Sequence, residues 1–328
     1  MNILITGVHS FVGLSLVKSL SERHTVYGLD TVYPYAKGVK MTLSWKDLDS
    51  FYQPFTFNQL EIAKLLQHID IILHLTEKAE NSKNRSHSRE YFDINTKLTQ
   101  KIFNFFLKSN AKKFFFFSSV KAAADTVTGG VLTEDIIPAP KGPYGESKIE
   151  AENYILSLKE EWEDQKRIYI LRPCMIHGPG NKGNLNLLYN VVRRGIPWPL
   201  GDFENKRTFT SVDNLCYVIE GCISRDIASG IYHMADDEAL STNELISIIC
   251  HTIGKKTHIW KINKSFMTGC AKVGSVLHLP LNADRLEKLT ENYVVSNAKI
   301  KQALGIDRMP VRAKEGLEKT IQSFKQSR

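Results

Sequence analysis

The sequence has only five cysteines in 328 residues, and their positions form no recognisable pattern. They are Cys174, Cys216, Cys222, Cys250 and Cys270. No two of them make a C-x-x-C pair, and an odd number cannot form a complete disulfide framework. We therefore expect neither a disulfide-stabilised scaffold nor a metal site.

Long hydrophobic runs are also absent. The longest candidate, residues 266–281, is interrupted by glycine, lysine and histidine, and it is shorter than the roughly 20 residues that cross a bilayer. A strand pattern begins at residue 2 and a glycine turn follows by residue 7, so we expect no basic leader with a cleavable apolar core. We expect a cytoplasmic protein without an integral membrane segment.

The positive charge is scattered rather than concentrated. The formal net charge is +8, but there is no dense lysine/arginine block and no interleaving of arginine with aromatic residues. Nucleic acid is therefore not an expected partner. A few of these charges suffice to attract an anionic small molecule such as a nucleotide.

The first half of the chain alternates short apolar runs with amphipathic stretches. Because the runs are apolar on both faces, they predict buried parallel strands; they cover residues 2–6, 25–30, 69–75, 112–119 and 167–173. Helical patterns lie between them, at 10–22, 95–110 and 144–163. This order predicts an α/β fold, a Rossmann-type doubly wound parallel sheet.

The pattern changes after Pro173. Glycine, proline and asparagine punctuate the chain there, which predicts a loop-rich region lining a cleft, and helical patterns return at 213–225, 241–253, 296–304 and 310–325. We expect residues 1–173 to form a dinucleotide-binding domain to which about 206–232 returns. Residues 174–328 would mainly form a smaller, discontinuous substrate domain.

The segment ITGVHSFVGL, residues 5–14, lies between the first strand and the first helix. This is the context of a dinucleotide-binding turn, in which Gly7 permits the tight turn and Gly13 allows close helix packing. Ser10 replaces the middle glycine, and its backbone and hydroxyl are expected to lie against the pyrophosphate at the helix N-terminus. Asp30, about 20 residues further on, would bind the adenosine ribose and favour NAD, with NADP not excluded.

Tyr144 and Lys148 stand one helical turn apart at the start of the third helical pattern. An ammonium group close to a phenol lowers the pKa of the phenol, so Tyr144 is a candidate general acid or base. Ser118 and Ser119 end the preceding strand, where side chains of a parallel sheet face the ligand crevice. The three elements together predict an oxidoreductase site.

These motifs, with His74–Leu75, Asn95, PYGESK and LRPCMIHGPG, resemble an extended short-chain dehydrogenase/reductase of the nucleotide-sugar epimerase/dehydratase group. The resemblance covers nearly the whole chain. Two positions depart from it: Ser10 in the turn, and the segment TEKA (76–79), where the family more often has small, alanine-rich residues.

The resemblance implies the role of each matching residue. The catalytic residues would be Ser119, Tyr144 and Lys148. The cofactor would be bound by Gly7, His9, Ser10, Phe11, Val12, Gly13, Asp30, Leu75, Thr76, Asn95, Ser118, Tyr144, Lys148 and Pro173. The UDP-sugar substrate would be bound by Lys121, Asn184 and Arg207. A homodimer formed through 95–110 and 144–163 is implied by resemblance only.

The residues after Ser119 narrow the reaction. Dehydratases of this group place an Asp-Glu pair there, whereas this chain has Val120 and Lys121. The surrounding segments resemble bacterial reductases of UDP-4-keto-6-deoxy-N-acetylhexosamines, which serve surface polysaccharide biosynthesis. A UDP-hexose or UDP-N-acetylhexosamine 4-epimerase with tightly bound NAD is the alternative, and a non-catalytic NAD(P)-sensing regulator is a remote one, because such proteins typically lose the tyrosine or lysine.

Overall fold

The computed structural model describes residues 1–52, 56–79, 88–127, 130–162, 164–181, 183–277 and 282–326. Its centre is a sheet of seven strands, β1 (Asn2–Thr6), β2 (Thr25–Leu29), β3 (Val39–Leu43), β4 (Ile71–His74), β5 (Lys113–Phe117), β7 (Arg167–Pro173) and β10 (Gly230–Met234). They lie in the order β3-β2-β1-β4-β5-β7-β10, with every neighbouring pair parallel. The predicted doubly wound parallel sheet is confirmed.

Helices cover both faces of this sheet. They are α1 (Phe11–Leu20), α2 (Phe57–Gln67), α3 (Ser88–Tyr91), α4 (Leu98–Lys108), α5 (Pro143–Ser157), α7 (Val212–Ser224) and α11 (Ala298–Leu304), and a π-helical segment, Phe92–Lys97, leads into α4. Among the described residues, no helix is long and apolar enough to cross a membrane.

The four consecutive phenylalanines of β5 show why this strand is central. Phe114 and Phe116 belong to the core under α4 and α5, whereas Phe115 and Phe117 belong to the core under α1 and α7. Alternate side chains of a strand point to opposite faces, so a strand buried on both faces is apolar throughout. The apolar run therefore predicted both the strand and its position.

The remaining elements form a second core. Helices α6 (Asn184–Arg193), α8 (Thr242–Thr252), α9 (Lys264–Val276), α10 (Ala283–Thr290) and α12 (Ala313–Gln326) pack around it. Two short parallel pairs connect this part to the sheet, β8 (Met175–His177) with β9 (Phe209–Ser211), and β6 (Val131–Leu132) with β11 (Val294–Val295).

The region from 174 to 205 is less loop-like than its composition predicted. Glycine, proline and asparagine do punctuate it, but they flank α6, whose buried Leu185, Leu188 and Val192 pack into the second core. By contrast, α7 packs against α1, and β10 extends the sheet beyond β7. Helix α7 and strand β10 therefore lie with the sheet, and the domain boundaries expected from the sequence stay a prediction.

Candidate active site

The order of strands changes direction between β1 and β4, and ligands of doubly wound sheets bind at such a point. Gly7 forms the turn after β1 with φ +66°, a left-handed conformation that suits glycine. A Cβ atom on Gly7 would lie 3.2 Å from the backbone of Thr76, which follows β4. The two strand ends are therefore held close together at the crevice.

Gly13 gives the turn its tight closure. A Cβ atom there would lie 2.5 Å from the carbonyl oxygens of both Gly7 and Val8, too close for any other side chain. Ser10 is the N-cap of α1, and its hydroxyl accepts the N–H of Gly13 at 3.1 Å. The hydroxyl accepts this N–H as the helix cap and keeps its own proton, so its predicted hydrogen bond to a phosphate oxygen stays a prediction. The first-turn N–H groups of Phe11 and Val12 have no acceptor within the helix and can bind an anion.

Asp30 lies directly after β2. Its Oδ2 accepts the N–H of His9 at 3.1 Å and its Oδ1 accepts the N–H of Thr31 at 2.7 Å. A carboxylate oxygen can accept more than one hydrogen bond, so both oxygens remain able to bind ribose hydroxyls. The link to His9 fixes the carboxylate relative to the glycine turn.

These groups open onto one cavity of about 840 Å³. Most of the predicted site residues line it, namely Gly7, His9, Ser10, Phe11, Val12, Asp30, Leu75, Thr76, Ser118, Ser119, Lys121, Tyr144, Pro173 and Arg207. Gly13, Asn95 and Lys148 do not line it. Asn184 is the first residue of α6, and its side chain lies outside the described part of the chain.

Ser119 and Tyr144 approach the cavity from two elements. Ser119 follows β5, and its hydroxyl accepts the N–H of Lys121 at 3.2 Å. Tyr144 is in the first turn of α5 and contacts the Tyr91 ring edge-on, at 6.2 Å between centroids. Lys148, one turn later, is only 1% exposed and donates to the carbonyl oxygen of Phe117 at 2.8 Å.

Glu77 is the site residue that sequence reasoning missed. Its Oε2 lies 2.7 Å from Nζ of Lys148 and accepts a hydrogen bond from the phenol of Tyr144 at 3.3 Å. The segment TEKA was noted as a departure from the family, and Glu77 is part of it. No local pattern connects residues 77 and 144, so only the fold places them together.

Asn95 acts on the segment that carries Glu77 rather than on the cavity. Its side-chain oxygen accepts the N–H of Lys78 at 2.7 Å, and its amide donates to the hydroxyl of Ser147 at 3.0 Å. The hydroxyl of Thr6 accepts the N–H groups of Leu75 and Thr76, each at 3.1 Å. Asn95 therefore supports this loop and does not line the cavity, and its predicted contact with the cofactor stays a prediction.

The hydroxyl of Thr6 also contacts His74. Because it already accepts two N–H groups, it donates its own proton to Nδ1 of His74 at 2.7 Å, and Nε2 of His74 lies 2.8 Å from the hydroxyl of Thr99. Burial lowers the pKa of His74 to about 3, and the charge of Lys148 adds to this effect. His74 is a neutral structural residue beneath the site.

Ser118 lines the cavity, but its hydroxyl is bonded inside the protein. Its hydroxyl donates to Oε1 of Glu152 at 2.5 Å, and Glu152 pairs with Arg172 at 2.9 and 2.6 Å. Because the hydroxyl is engaged by Glu152, the other atoms of Ser118 form its part of the cavity wall.

Lys121 and Arg207 are the cationic residues that line the cavity. Nζ of Lys121 donates to the carbonyl oxygen of Asp125 at 2.8 Å and lies 4.8 Å from the Tyr293 ring centroid. Arg207 donates to the carbonyl oxygen of Lys288 at 2.6 Å, and Glu291 lies 3.5 Å from its guanidinium. Both cations border the cavity, where they can attract a diphosphate.

The cavity fits a dinucleotide on four observations. Its volume lies within the range of small-molecule sites. Free N–H groups face it at the start of α1, and the carboxylate of Asp30 stands at the end of β2. In addition, Thr76 lines the cavity, and its buried hydroxyl has no hydrogen-bond partner. NAD would be held by the turn at Gly7, by Asp30, and by the Tyr144–Lys148 region.

Cys174 lines the cavity, but neither a reactive thiol nor a metal centre is seen among the described residues of this site. Burial raises the pKa of Cys174, Cys216 and Cys222 to about 12, so these thiols are poor nucleophiles. Within the ranges that the structure describes, no three histidine, cysteine, aspartate or glutamate residues are grouped to hold a metal ion.

Comparisons with known proteins give a consistent result. The model of the NAD-dependent epimerase/dehydratase family matches residues 3–240. UDP-glucose 4-epimerase of Vibrio cholerae is 29% identical over 99% of this chain and 96% of its own length. GDP-6-deoxy-D-mannose reductase of Pseudomonas aeruginosa is 25% identical over 36% of this chain and 41% of its own. The structure of UDP-glucuronic acid 4-epimerase from Bacillus cereus in complex with NAD superposes with a TM-score of 0.74, at 20% identity over 99% of both chains.

Proposed function

Because this chain belongs to the NAD-dependent epimerase/dehydratase family, we propose that it acts on C4 of a UDP sugar and reduces a UDP-4-keto-6-deoxy-N-acetylhexosamine. One observation carries the proposal. Ser119 and Tyr144 border the same cavity as the glycine turn and Asp30. A carbonyl held at Ser119 and Tyr144 would therefore lie within the cavity that fits the dinucleotide.

The residues of the site have separate roles in this reaction. The Ser119 hydroxyl donates a hydrogen bond to the C4 carbonyl oxygen and orients it. The phenol of Tyr144 donates its proton to the same oxygen as the carbonyl becomes an alcohol. NADH, when bound, supplies the hydride that C4 receives. Lys148 fixes the start of α5 through Phe117 and places a positive charge near the phenol.

Dehydration has no support in the geometry. It needs an acid and a base to remove water across two sugar carbons. Val120 and Lys121 begin a short 3₁₀-helix directly after Ser119. The carboxylates among the described lining residues are Asp30, at the end of β2, and Glu77, which is paired with Lys148.

A UDP-hexose or UDP-N-acetylhexosamine 4-epimerase is the second candidate. It is favoured by the Vibrio cholerae relative, which matches nearly the full length of both chains, whereas the reductase relative matches only about a third of this one. Ser119, Tyr144 and Lys148 would serve in both reactions. The difference is that an epimerase would also need Tyr144 as a base and would keep its cofactor between the two half-reactions.

Two parallel incubations of the purified protein distinguish these reactions. One contains a UDP-4-keto-6-deoxy-N-acetylhexosamine with NADH or NADPH, and the other contains UDP-N-acetylglucosamine or UDP-glucose alone. Net oxidation of the nicotinamide, followed by its absorbance, supports the reductase. Interconversion of the UDP sugars without added cofactor contradicts the reductase and establishes the epimerase.

Tyr144→Phe is the matched variant for both assays. Loss of the proton donor should lower kcat by about 10²- to 10⁴-fold while NADH binding, measured by nicotinamide fluorescence, is retained. Full activity of the variant would exclude Tyr144 as the acid.

The biological setting follows from the substrate class. UDP-activated deoxy-amino sugars are precursors of surface polysaccharides, and one relative is a glycan biosynthesis protein from Haloferax volcanii. We place the enzyme in such a pathway in the cytoplasm. The homodimer through α4 and α5 stays a prediction, which sedimentation of the purified protein can test.

A further inference from the structure

The Glu77 carboxylate lies between the two residues assigned to proton chemistry. A single oxygen, Oε2, is 2.7 Å from the ammonium of Lys148 and 3.3 Å from the phenol oxygen of Tyr144. Phenol and ammonium are both donors here, and the carboxylate is their common acceptor. In this arrangement the proton of Tyr144 is held by a hydrogen bond that only the protonated phenol can make.

The position of Glu77 is fixed by its neighbours in the chain. Thr76 precedes it and donates its N–H to Thr6, and Lys78 follows it and donates its N–H to Asn95. The side chain of Glu77 is 34% exposed and lines the cavity, whereas Lys148 is nearly fully buried and does not. The carboxylate therefore stands between the ammonium and the cavity.

The charges at the site have opposing effects on the phenol. The Lys148 ammonium alone would stabilise a phenolate at Tyr144, and a carboxylate at hydrogen-bond distance opposes this. We propose that Glu77 is a positioning residue that neutralises Lys148 and keeps Tyr144 protonated, as an acid for the carbonyl oxygen of the substrate. This inference rests on the proposed function for the role of Tyr144, but its electrostatic part does not.

Other charged or titratable groups lie around this pair. Lys78 belongs to the same loop and pairs with Glu90 of α3, Tyr91 of α3 touches Tyr144 edge-on, and Lys121 follows Ser119. His74 of β4 lies below Lys148 and is neutral, because burial lowers its pKa to about 3. Within the described residues, Glu77 is the carboxylate seen in contact with both Lys148 and Tyr144.

A protonated phenol suits the reductive direction. In the reduction, C4 gains a hydride, the carbonyl π electrons move to oxygen, and that oxygen takes the proton of Tyr144. The resulting phenolate takes a proton back from solvent. A residue that holds the phenol protonated prepares this step, whereas the oxidative half of an epimerase reaction begins with the phenolate as base.

The test compares the wild-type protein with Glu77→Gln, which keeps the size of the side chain and removes its charge. In the cofactor-free protein, ionisation of Tyr144 is followed by ultraviolet phenolate absorbance, as the difference between each protein and its Tyr144→Phe counterpart. We expect Glu77→Gln to ionise this phenol at a pH lower by about one unit or more. Glu77→Asp, which keeps the charge, should stay close to wild type.

Reduction kinetics give a second readout. Activity requires the protonated phenol, so it is full at low pH and is lost as pH rises through the ionisation of Tyr144. The alkaline limb of kcat should therefore move to lower pH in Glu77→Gln. Glu90→Gln, which removes the ion pair with Lys78 on the neighbouring loop, controls for loop disruption and should leave this limb unchanged.

The outcomes separate the two proposals. Unchanged phenol ionisation in Glu77→Gln overturns the role of Glu77, even if the protein is a reductase. A shifted ionisation in a protein without reductase activity sustains the electrostatic role and rejects the reductase. Thermal unfolding monitors folding of each variant, and Glu77→Ala removes the same charge if the glutamine variant does not fold.

Discussion

Glu152 and Arg172 form a bidentate ion pair that is sealed from solvent between α5 and β7. The hydroxyl of Ser118 donates to the same carboxylate, so the pair connects the helix of Tyr144 and Lys148 to the strand end that carries Ser119. Hydrogen bonds to both Glu152 oxygens offset part of the desolvation that a buried charge suffers. The arrangement fixes the distance between the two halves of the site.

Arg172→Met should strongly destabilise the protein, because it leaves the Glu152 charge buried and unpaired. We expect the free energy of unfolding to fall by about 3–5 kcal/mol, measured by urea denaturation. The double variant Glu152→Met/Arg172→Met should recover much of this loss. The control is Arg167→Met, a substitution on the same strand as Arg172. It removes an exposed ion pair with Asp226 and should lower the free energy of unfolding much less. Equal effects of the two single variants would contradict this prediction.

Asp30→Asn should weaken the preference for NADH over NADPH. The substitution keeps the side-chain shape but removes the charge that would repel a 2′-phosphate. We expect the ratio of kcat/KM for the two cofactors to change by about tenfold, since 1.4 kcal/mol already corresponds to that factor. Steady-state kinetics with both cofactors measure it, and an unchanged ratio would remove Asp30 from cofactor selection.

Arg207→Lys should raise KM for the UDP sugar by about tenfold with little change in kcat. Lysine keeps the charge but loses the planar fork that binds two phosphate oxygens at once. The neighbouring Lys206 is exposed, so Lys206→Ala is a control for net charge and should leave KM near the wild-type value. A similar rise in both variants would indicate general attraction rather than binding by Arg207.

Acid should destabilise the protein through His74. Its pKa is about 3 in the folded state and about 6.5 when unfolded, so the unfolded chain binds more protons between these values. The contribution of neutral His74 to stability is therefore present above pH 6.5 and is lost as pH falls towards 3. Urea denaturation at pH 7 and pH 5 measures it. His74→Gln should be less stable at pH 7 but lose less further stability at pH 5; an equal loss in both proteins would exclude His74 as the cause.

The fold could be predicted from the sequence more completely than the orientation of the side chains in the site. Strands such as β5 and β7 and helices such as α5 follow from hydrophobic periodicity, which is a local property. The orientation of the Asn95 and Ser118 side chains does not follow from this periodicity, because a polar side chain at either position could face the cavity or the interior. Asn95 supports the Glu77 loop, and Ser118 donates to Glu152.

Local sequence was sufficient to predict the doubly wound sheet, the glycine turn with Asp30, and the order of Ser119, Tyr144 and Lys148 along the chain. These depend on local periodicity and on residue types that a tight turn or helix face requires. Only the folded chain brings the Glu77 carboxylate into hydrogen-bond contact with the phenol of Tyr144, 67 positions away in the sequence. A contact of this kind depends on how the whole sheet positions β4 and α5. The interactions that fix these positions are distributed over the core and do not depend on the sequence next to either residue.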